Sequence, residues 1–161
     1  MPQPRSVTAS AVSADVIVRQ NRFGQGLYSS LPVKRGSTLA VVAGRPVSQR
    51  TRMSIQVGWT THVEIGPPWE LINHSCDPNC HLAIRCGSDT VRVVAIRDIE
   101  PGEELSVDYD LFEYEVQYFP ADCLCGSPNC RRSVRGYRFL SLDVREARAA
   151  LVADYLKTRP Q

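Results

Sequence analysis

Apolar residues fall in short clusters along this chain, and most clusters are the length of one strand. Thr38–Ala43 (TLAVVA) and Thr90–Ile96 (TVRVVAI) are rich in β-branched residues and predict strands. Val12–Arg19 reads as a first strand. Asn21–Ser29 (NRFGQGLYS) reads as a glycine-containing turn leading into another. Pro32–Ser37 is a turn, and the polar Pro46–Arg52 reads as a loop or one helical turn. Met53–Val57 and His62–Ile65 predict two strands around Gly58, after which Gly66-Pro67-Pro68 breaks the chain. His81–Ile84 and Thr90–Ile96 form a predicted hairpin around Gly87–Asp89. Asp98–Glu103 is a turn, and Glu104–Tyr109 is the last strand. A helical period occurs only in Ser141–Lys157, where Leu142, Leu151, Val152, Tyr155 and Leu156 share one face. Ser141 or Asp143 would cap this helix, and Pro160 follows its end. Many short strands and one late helix predict a mainly β (α+β) fold in one domain.

The length supports that reading, since 161 residues, 43% of them hydrophobic, suffice for one domain with a buried core. Ten glycines and eleven prolines are an ordinary share, which excludes collagen-like and low-complexity chains. No apolar run approaches the ~18 residues of a membrane span. Met1–Ser13 carries one Arg and no continuous apolar stretch, so it reads as a flexible leader and not as a secretory signal. An intracellular protein, cytoplasmic or nuclear, is expected. A net charge of +2 gives no reason to expect a membrane or nucleic acid as partner. The charge is unevenly placed: residues 98–122 hold nine acids and no Lys or Arg. That run is expected to present a negative surface, and Glu113 and Glu115 are candidates for steering a cationic substrate. Arg131, Arg132, Arg135 and Arg138 would form a basic patch, while Arg145 and Arg148 are expected to be solvated.

Six cysteines in a chain without a secretory signal point to metal ligation and not to disulfides. Cys123, Cys125 and Cys130 form a C-x-C-x4-C cluster with bends at Gly126 and Pro128. Three thiolates so close can converge on one ion, and a structural zinc site takes four ligands, so a fourth must come from elsewhere; Cys76 is the candidate. Cys80 and Cys86 lie in strand-like surroundings and are expected to be buried thiols.

Two further blocks are ambiguous alone: Asn73-His74-Ser75-Cys76-Asp77-Pro78-Asn79-Cys80 and Gly102-Glu103-Glu104-Leu105-Ser106-Val107-Asp108-Tyr109. In order, Phe23-Gly24-Gln25-Gly26-Leu27-Tyr28, then these two blocks, then C-x-C-x4-C, the chain resembles the SET domain of protein-lysine methyltransferases with its post-SET zinc cluster. The resemblance runs from about Asp15 to about Arg131. It implies the SET fold, small curved sheets around a pseudoknot, to which the helical period of Ser141–Lys157 adds a C-terminal helix. It divides the chain into a leader (1–13), a SET domain (14–116), a post-SET zinc segment (117–135) and a C-terminal helical extension (136–161). The implied cofactors are S-adenosylmethionine and Zn2+, and the implied partner is a lysine-containing protein or peptide, histones among them. Gly24, Gln25, Gly26, Tyr28, Asn73, His74 and Leu124 map to cofactor binding, Tyr109 to catalysis, and Cys76, Cys123, Cys125 and Cys130 to the metal. Glycines suit a turn whose backbone must approach a ligand closely.

The implied chemistry is an in-line attack by an amine on a sulfonium carbon, which needs alignment more than a strong base. Free lysine titrates near ~10.4, and a dry channel beside a cation favours its neutral form. A phenol such as that of Tyr109 can orient the amine. The sequence departs from the family at several points. The segment 47–71, which in histone-directed relatives helps form the peptide groove, is short. Glu70 stands where the family often has Arg, and no tyrosine occurs between Pro46 and Leu71, leaving Tyr28 as a possible stand-in. Val107 replaces a bulkier aromatic and predicts room for multiple methylation, with Phe112 or Tyr114 as residues that would fill the space. Trp59 and Trp69 are read as core, or with His62 as the lining of a smaller pocket. A SET-like enzyme acting on a small molecule and a non-catalytic binding module remain alternatives, and homodimerisation stays open.

Overall fold

The computed structural model describes residues 9–11, 15–120 and 122–158. Among the described residues eleven strands are grouped in small sheets, and none continues far enough to close a barrel. A four-stranded antiparallel sheet has the order β1 (Ala9–Ala11), β4 (Thr38–Ala43), β10 (Thr90–Ala95), β9 (Cys80–Ile84). Thr38–Ala43 is thus a strand with the bounds its β-branched run predicts. Alternation along β10 buries Val91, Val93 and Ala95 and leaves Arg92 exposed. Ala9–Ala11 lies inside the expected leader yet pairs with β4. Residues 12–14 of the predicted first strand lie outside the described residues, and the strand observed there is β2 (Val16–Asn21). It forms an antiparallel hairpin with β3 (Gly24–Ser29).

The third sheet orders β5 (Arg45–Val47), β7 (His62–Glu64) and β6 (Ser54–Gln56), all antiparallel. Part of the expected loop at 46–52 is therefore a strand: Arg45–Val47 pairs with Glu64–His62 across Pro46, whose lack of N–H is tolerated at a sheet edge. The last pairing is parallel and very short, β8 (Asn73–His74) against β11 (Ser106–Val107). The strand predicted over 104–109 shrinks to these two residues, because Tyr109–Leu111 turns into a 3-10 helix capped by Asp108, whose side chain accepts from Asp110 N. Around this pair the two motif segments clasp each other. Asn79 Nδ2 donates to Glu104 O at 2.7 Å, and Ser106 N donates to Asn79 Oδ1 at 2.9 Å, with Asn79 only 1% exposed. A buried amide with its donor and acceptor both used costs nothing in unsatisfied polarity and pins two distant segments together.

The continuous C-terminal helix does not form. Helix α1 spans Leu142–Ala147, and Ala149–Leu151 and Asp154–Lys157 are separate 3-10 turns. Ser141 makes no capping hydrogen bond, and Leu142 is 71% exposed, so the proposed common face is not shared. The chain instead steps inward at Ala153, whose N–H binds Leu111 O at 2.9 Å. Tyr155, fully buried, donates its hydroxyl to Phe112 O at 2.8 Å. The C-terminal segment therefore completes the main core and holds the stretch that follows Tyr109. Cys80 is buried as expected, whereas Cys86 is exposed because it sits at the β9–β10 turn and not in a strand. Among the described residues no helix is long and apolar enough to cross a membrane.

Candidate functional site

A cavity of about 660 Å³ lies where the β2–β3 turn, β8, the 3-10 helix after β11 and the cysteine segment meet. Gly24, Gln25, Asn73, His74, Tyr109 and Leu124 all line it. These predicted site residues are up to 100 positions apart (Gly24 to Leu124) and are brought together by the clasp described above. Gly26 and Tyr28 do not line it; they lie behind its wall.

The two glycines are required for different reasons. Gly24 has φ +113, a conformation L side chains rarely adopt, and open space around it. Gly26 has an ordinary φ, but a Cβ there would sit 2.7 Å from Asn21 Nδ2 and 2.9 Å from Asn73 Nδ2, and against Glu104 Oε1. Its missing side chain makes room for a cluster of protein side chains, and not for close approach of the backbone to a ligand. Tyr28 belongs to the same cluster, with its hydroxyl 3.2 Å from Glu104 Oε2. It therefore does not stand in for the missing channel tyrosine.

Tyr109 is held at both ends. Its N–H donates to His74 Nδ1 at 3.2 Å, and its hydroxyl donates to Ile72 O at 2.8 Å. Burial, with Glu113 nearby, pushes the phenol up to about 12, so it stays protonated and neutral at physiological pH. Phe112 and Phe119 pack edge-on against its ring with centroids 5.6 and 5.9 Å away. His74 is equally constrained. Because Nδ1 accepts from Tyr109, Nε2 carries the hydrogen and faces Cys76 Sγ at 3.4 Å. Burial, reinforced by the Arg131 charge, lowers its pKa to about 3, so it is a neutral structural link and not a proton carrier.

Several expectations are corrected by this geometry. Val107 is fully buried in the core and does not line the cavity; Phe112 occupies the wall beside Tyr109. Trp69 lines the cavity, Trp59 packs on Tyr114 and Tyr155, and His62 accepts from Arg50 Nε, so the three share no pocket. Glu113 is 8% exposed and accepts from Gln56 N at 2.8 Å with Arg50 Nη2 3.8 Å away. Glu115 pairs with Arg138 at 2.8 Å. Part of the acidic run is thus folded inward or met by cations, including Lys34 on Asp98, Arg97 on Glu103 and Arg131 on Asp108 and Asp110, while Asp98, Glu100 and Asp122 stay exposed. Glu113, one of the two residues expected to steer a substrate, is buried, and the other, Glu115, is paired with Arg138. Of the expected basic patch, Arg131 and Arg138 are spent in such pairs, and Arg135 stacks over Phe139. Arg145 donates to Arg138 O and stacks over Tyr137, and Arg148 reaches Cys76 O, so neither is simply solvated.

Cys76, Cys123, Cys125 and Cys130 place their sulfurs within 4.8 Å of one another. A tetrahedral zinc with ~2.3 Å Zn–S bonds needs sulfurs ~3.8 Å apart, and Cys76 Sγ to Cys123 Sγ is 3.9 Å. The donor set fits such an ion, and the candidate fourth ligand is the one the fold delivers. Burial raises the Cys76 thiol and takes Cys123 to about 11, a cost that a bound dication removes by favouring thiolates. The N–H of Arg131 points to Cys76 Sγ at 3.4 Å, as expected of a thiolate's supporting donor.

Sequence reasoning missed Arg131, Glu104, Arg50 and Phe119. Arg131 follows Cys130 directly and carried a signal only as part of a presumed basic patch. Glu70 Oε2 is buried on the cavity wall and has no hydrogen-bond partner among the described residues.

The family model described as SET domain matches residues 24–110, more than half of the chain. The chain belongs to the SET domain family. The clasp and Tyr109 fall within that SET domain, the cavity is shared between it and residues 112–125 that follow, and the cysteine segment lies beyond it. The chain is 48% identical over 63 residues to a protein named Histone-lysine N-methyltransferase trr from Drosophila melanogaster, covering 38% of this chain and 3% of that protein. It is 43% identical over 135 residues to Histone-lysine N-methyltransferase trithorax from Drosophila virilis, covering 72% and 3%. To the Saccharomyces cerevisiae protein named Histone-lysine N-methyltransferase, H3 lysine-4 specific, it is 44% identical over 62 residues, covering 37% and 6%. The chain thus spans a small fraction of the curated relatives it matches.

Proposed function

We propose that this SET domain transfers a methyl group from S-adenosylmethionine to the side-chain amine of lysine in a protein. The observation that carries the reading is Tyr109, a neutral phenol fixed by Ile72 O and His74 Nδ1, on the wall of a cavity shared with the Gly24–Gln25 turn and Asn73. Bound there, the cofactor supplies an electrophilic methyl on a sulfonium. Gly24, Gln25, Asn73, His74 and Leu124 would hold it. Tyr109, catalytic in this reading, keeps its proton on Ile72 O, so its oxygen lone pairs are free to orient an amine N–H or to accept weak contacts from a polarised methyl. Phe112, Phe119 and Trp69 give the apolar wall that suits an aliphatic lysine stem and disfavours its ammonium form.

In the same reading residues 14–116 form the SET unit and 117–135 a post-SET segment, where Zn2+ held by Cys76, Cys123, Cys125 and Cys130 is a structural staple. The segment 136–161 packs behind Tyr109. The relatives' names support histones within the substrate class, and hence an intracellular, nuclear setting.

Incubation with S-adenosylmethionine labelled in the methyl group, core histones, a lysine peptide array and small amines tests the reading. Label on protein lysines, abolished in Tyr109→Phe, is expected. Label on small amines alone would make it a small-molecule enzyme. S-adenosylhomocysteine binding with no transfer to any acceptor would make it a binding module.

A further inference from the structure

The cluster behind the cavity wall turns on one carboxylate. Glu104 Oε1 accepts from Asn73 Nδ2 at 2.8 Å and from Asn21 Nδ2 at 2.8 Å, and Oε2 accepts from the Tyr28 hydroxyl at 3.2 Å. The donors are two amides and a phenol, all neutral. Asn73 Nδ2 also donates to Gln25 O at 2.9 Å. Both of its amide hydrogens are therefore spent on oxygens that can only accept. That settles which end of the amide is nitrogen, since the reverse orientation would set Oδ1 against a carboxylate and a carbonyl. Asn21 is fixed likewise, with its Oδ1 accepting from Phe23 N at 2.8 Å.

One consequence is chemical. Asn73 lines the cavity, and with its nitrogen committed inward its remaining polar group is Oδ1, an acceptor that meets no donor among the described residues. An acceptor at that place selects a donor, and binds an ammonium more strongly than a neutral amine, because charge-assisted hydrogen bonds are roughly twice as strong.

We propose that Glu104 is a positioning residue. It locks the Asn73 amide so that Oδ1 is presented to the cavity, and thereby makes that part of the site selective for an ammonium-bearing ligand. The inference rests on the proposed function, in which the ligand is a nucleoside with an amino-acid tail. Gly26 is part of the same device, since any Cβ there would strike Glu104, Asn21 and Asn73.

Removing the carboxylate's acceptors breaks the device. Glu104→Gln would not, since its oxygen can still accept from Asn73 and Asn21 while its NH2 donates to the Tyr28 hydroxyl. In Glu104→Leu the Asn73 amide keeps Gln25 O alone, so it is free to turn and Oδ1 is no longer held toward the cavity.

The test compares two ligands by calorimetry on the full chain. S-adenosylhomocysteine carries the amino-acid tail, and 5′-methylthioadenosine keeps the nucleoside and thioether without it. Glu104→Leu is expected to weaken S-adenosylhomocysteine at least tenfold while changing 5′-methylthioadenosine less than twofold. In turnover, the KM for S-adenosylmethionine should rise with kcat within threefold. A merely structural role would weaken both ligands together, and that result overturns the proposal, as does no change in either. If Glu104→Leu fails to fold, Glu104→Asp, which keeps the charge but withdraws the oxygens from Asn73, should show the same ligand-selective loss. Equal loss on both ligands there also overturns it. If the wild-type chain binds neither ligand, the proposed function falls and this inference with it; wild-type binding without ligand-selective loss sinks the inference alone.

Discussion

Arg131 Nη2 stands 2.6 Å from Asp108 Oδ1 and 2.7 Å from Asp110 Oδ2, so the residue after the last cysteine grips both neighbours of Tyr109. Asp108 is 2% exposed, and burial raises its carboxyl to about 6 even with the guanidinium beside it. Asp110 Oδ1 in turn accepts from Arg135 N and Gly136 N at 3.0 and 2.6 Å. The cysteine segment and the tyrosine are thus parts of one polar joint, and the backbone of Arg131 extends it to Cys76.

Removing one partner of a buried ion pair leaves the other uncompensated. Arg131→Leu is expected to destabilise the protein by about 3–5 kcal/mol, and Arg131→Lys by less, in urea unfolding monitored by tryptophan fluorescence. Equal stability of Arg131→Leu and wild type would show that the joint is not energetically important.

Tyr109→Phe keeps the ring and its edge-on contacts with Phe112 and Phe119 but loses the bond to Ile72 O. Turnover should fall by roughly 100-fold, the scale of lost alignment at a reacting centre. The dissociation constant for S-adenosylhomocysteine should change less than threefold. A parallel loss of binding would place Tyr109 in the cofactor site and not at the reacting atoms.

Thiolate ligation and folding are coupled, so metal removal should loosen the segment around Cys123–Cys130. Elemental analysis is expected to find about one zinc per chain. Chelation, or Cys125→Ser, should release it and raise amide hydrogen exchange in that segment and at Asp108–Leu111. Full zinc retention in Cys125→Ser would remove this residue from the ligand set.

Glu113 has its carboxyl raised from 4.5 to about 7, because burial outweighs the Gln56 N–H and the Arg50 charge. The folded protein then holds this proton more tightly than the unfolded chain does. That contribution is fully present below pH 4.5 and is lost as pH rises through 7. Relative to Glu113→Gln, wild-type stability should decline by up to roughly 3 kcal/mol between those limits, measured by urea titration at each pH. Parallel stability curves would mean that Glu113 ionises normally.

Gly26→Ala forces a methyl against Asn21, Asn73 and Glu104 and should cost about 1–3 kcal/mol by overpacking. Gly24→Ala meets open space but strains its backbone at φ +113. The two variants should differ in ligand binding: displacement of Asn73 in Gly26→Ala weakens S-adenosylhomocysteine even where thermal stability is partly retained.

Much of the site was legible because its residues sit in contiguous motifs. The fourth thiol, Cys76, was foreseen from the need for four ligands and from the NHSC block, and the fold brings it to the other three. Thr38–Ala43 was legible because a β-branched run in a buried sheet obeys local preference. The middle of the acidic run misled, since a row of carboxylates looks like a solvated face. Glu113, Asp108 and Asp110 are buried because Arg50 and Arg131 arrive from distant positions to meet them. The helix over 141–157 misled for a related reason. Its apolar spacing is real, but Ala153 N bonds Leu111 O and Tyr155 enters the main core, contacts that outweigh a weak helical preference.

What the chain alone determined was chemical inventory: which thiols can ligate, which phenol is placed after a strand, which glycines permit a tight turn. What only the tertiary structure decided was the protonation and direction of those groups. Asn73 presents its oxygen because Gln25 and Glu104 take its nitrogen, and Tyr109 stays a neutral phenol because burial penalises its anion. Hydrogen-bond direction and desolvation depend on neighbours that are remote in sequence, so they come into being only when the segments meet.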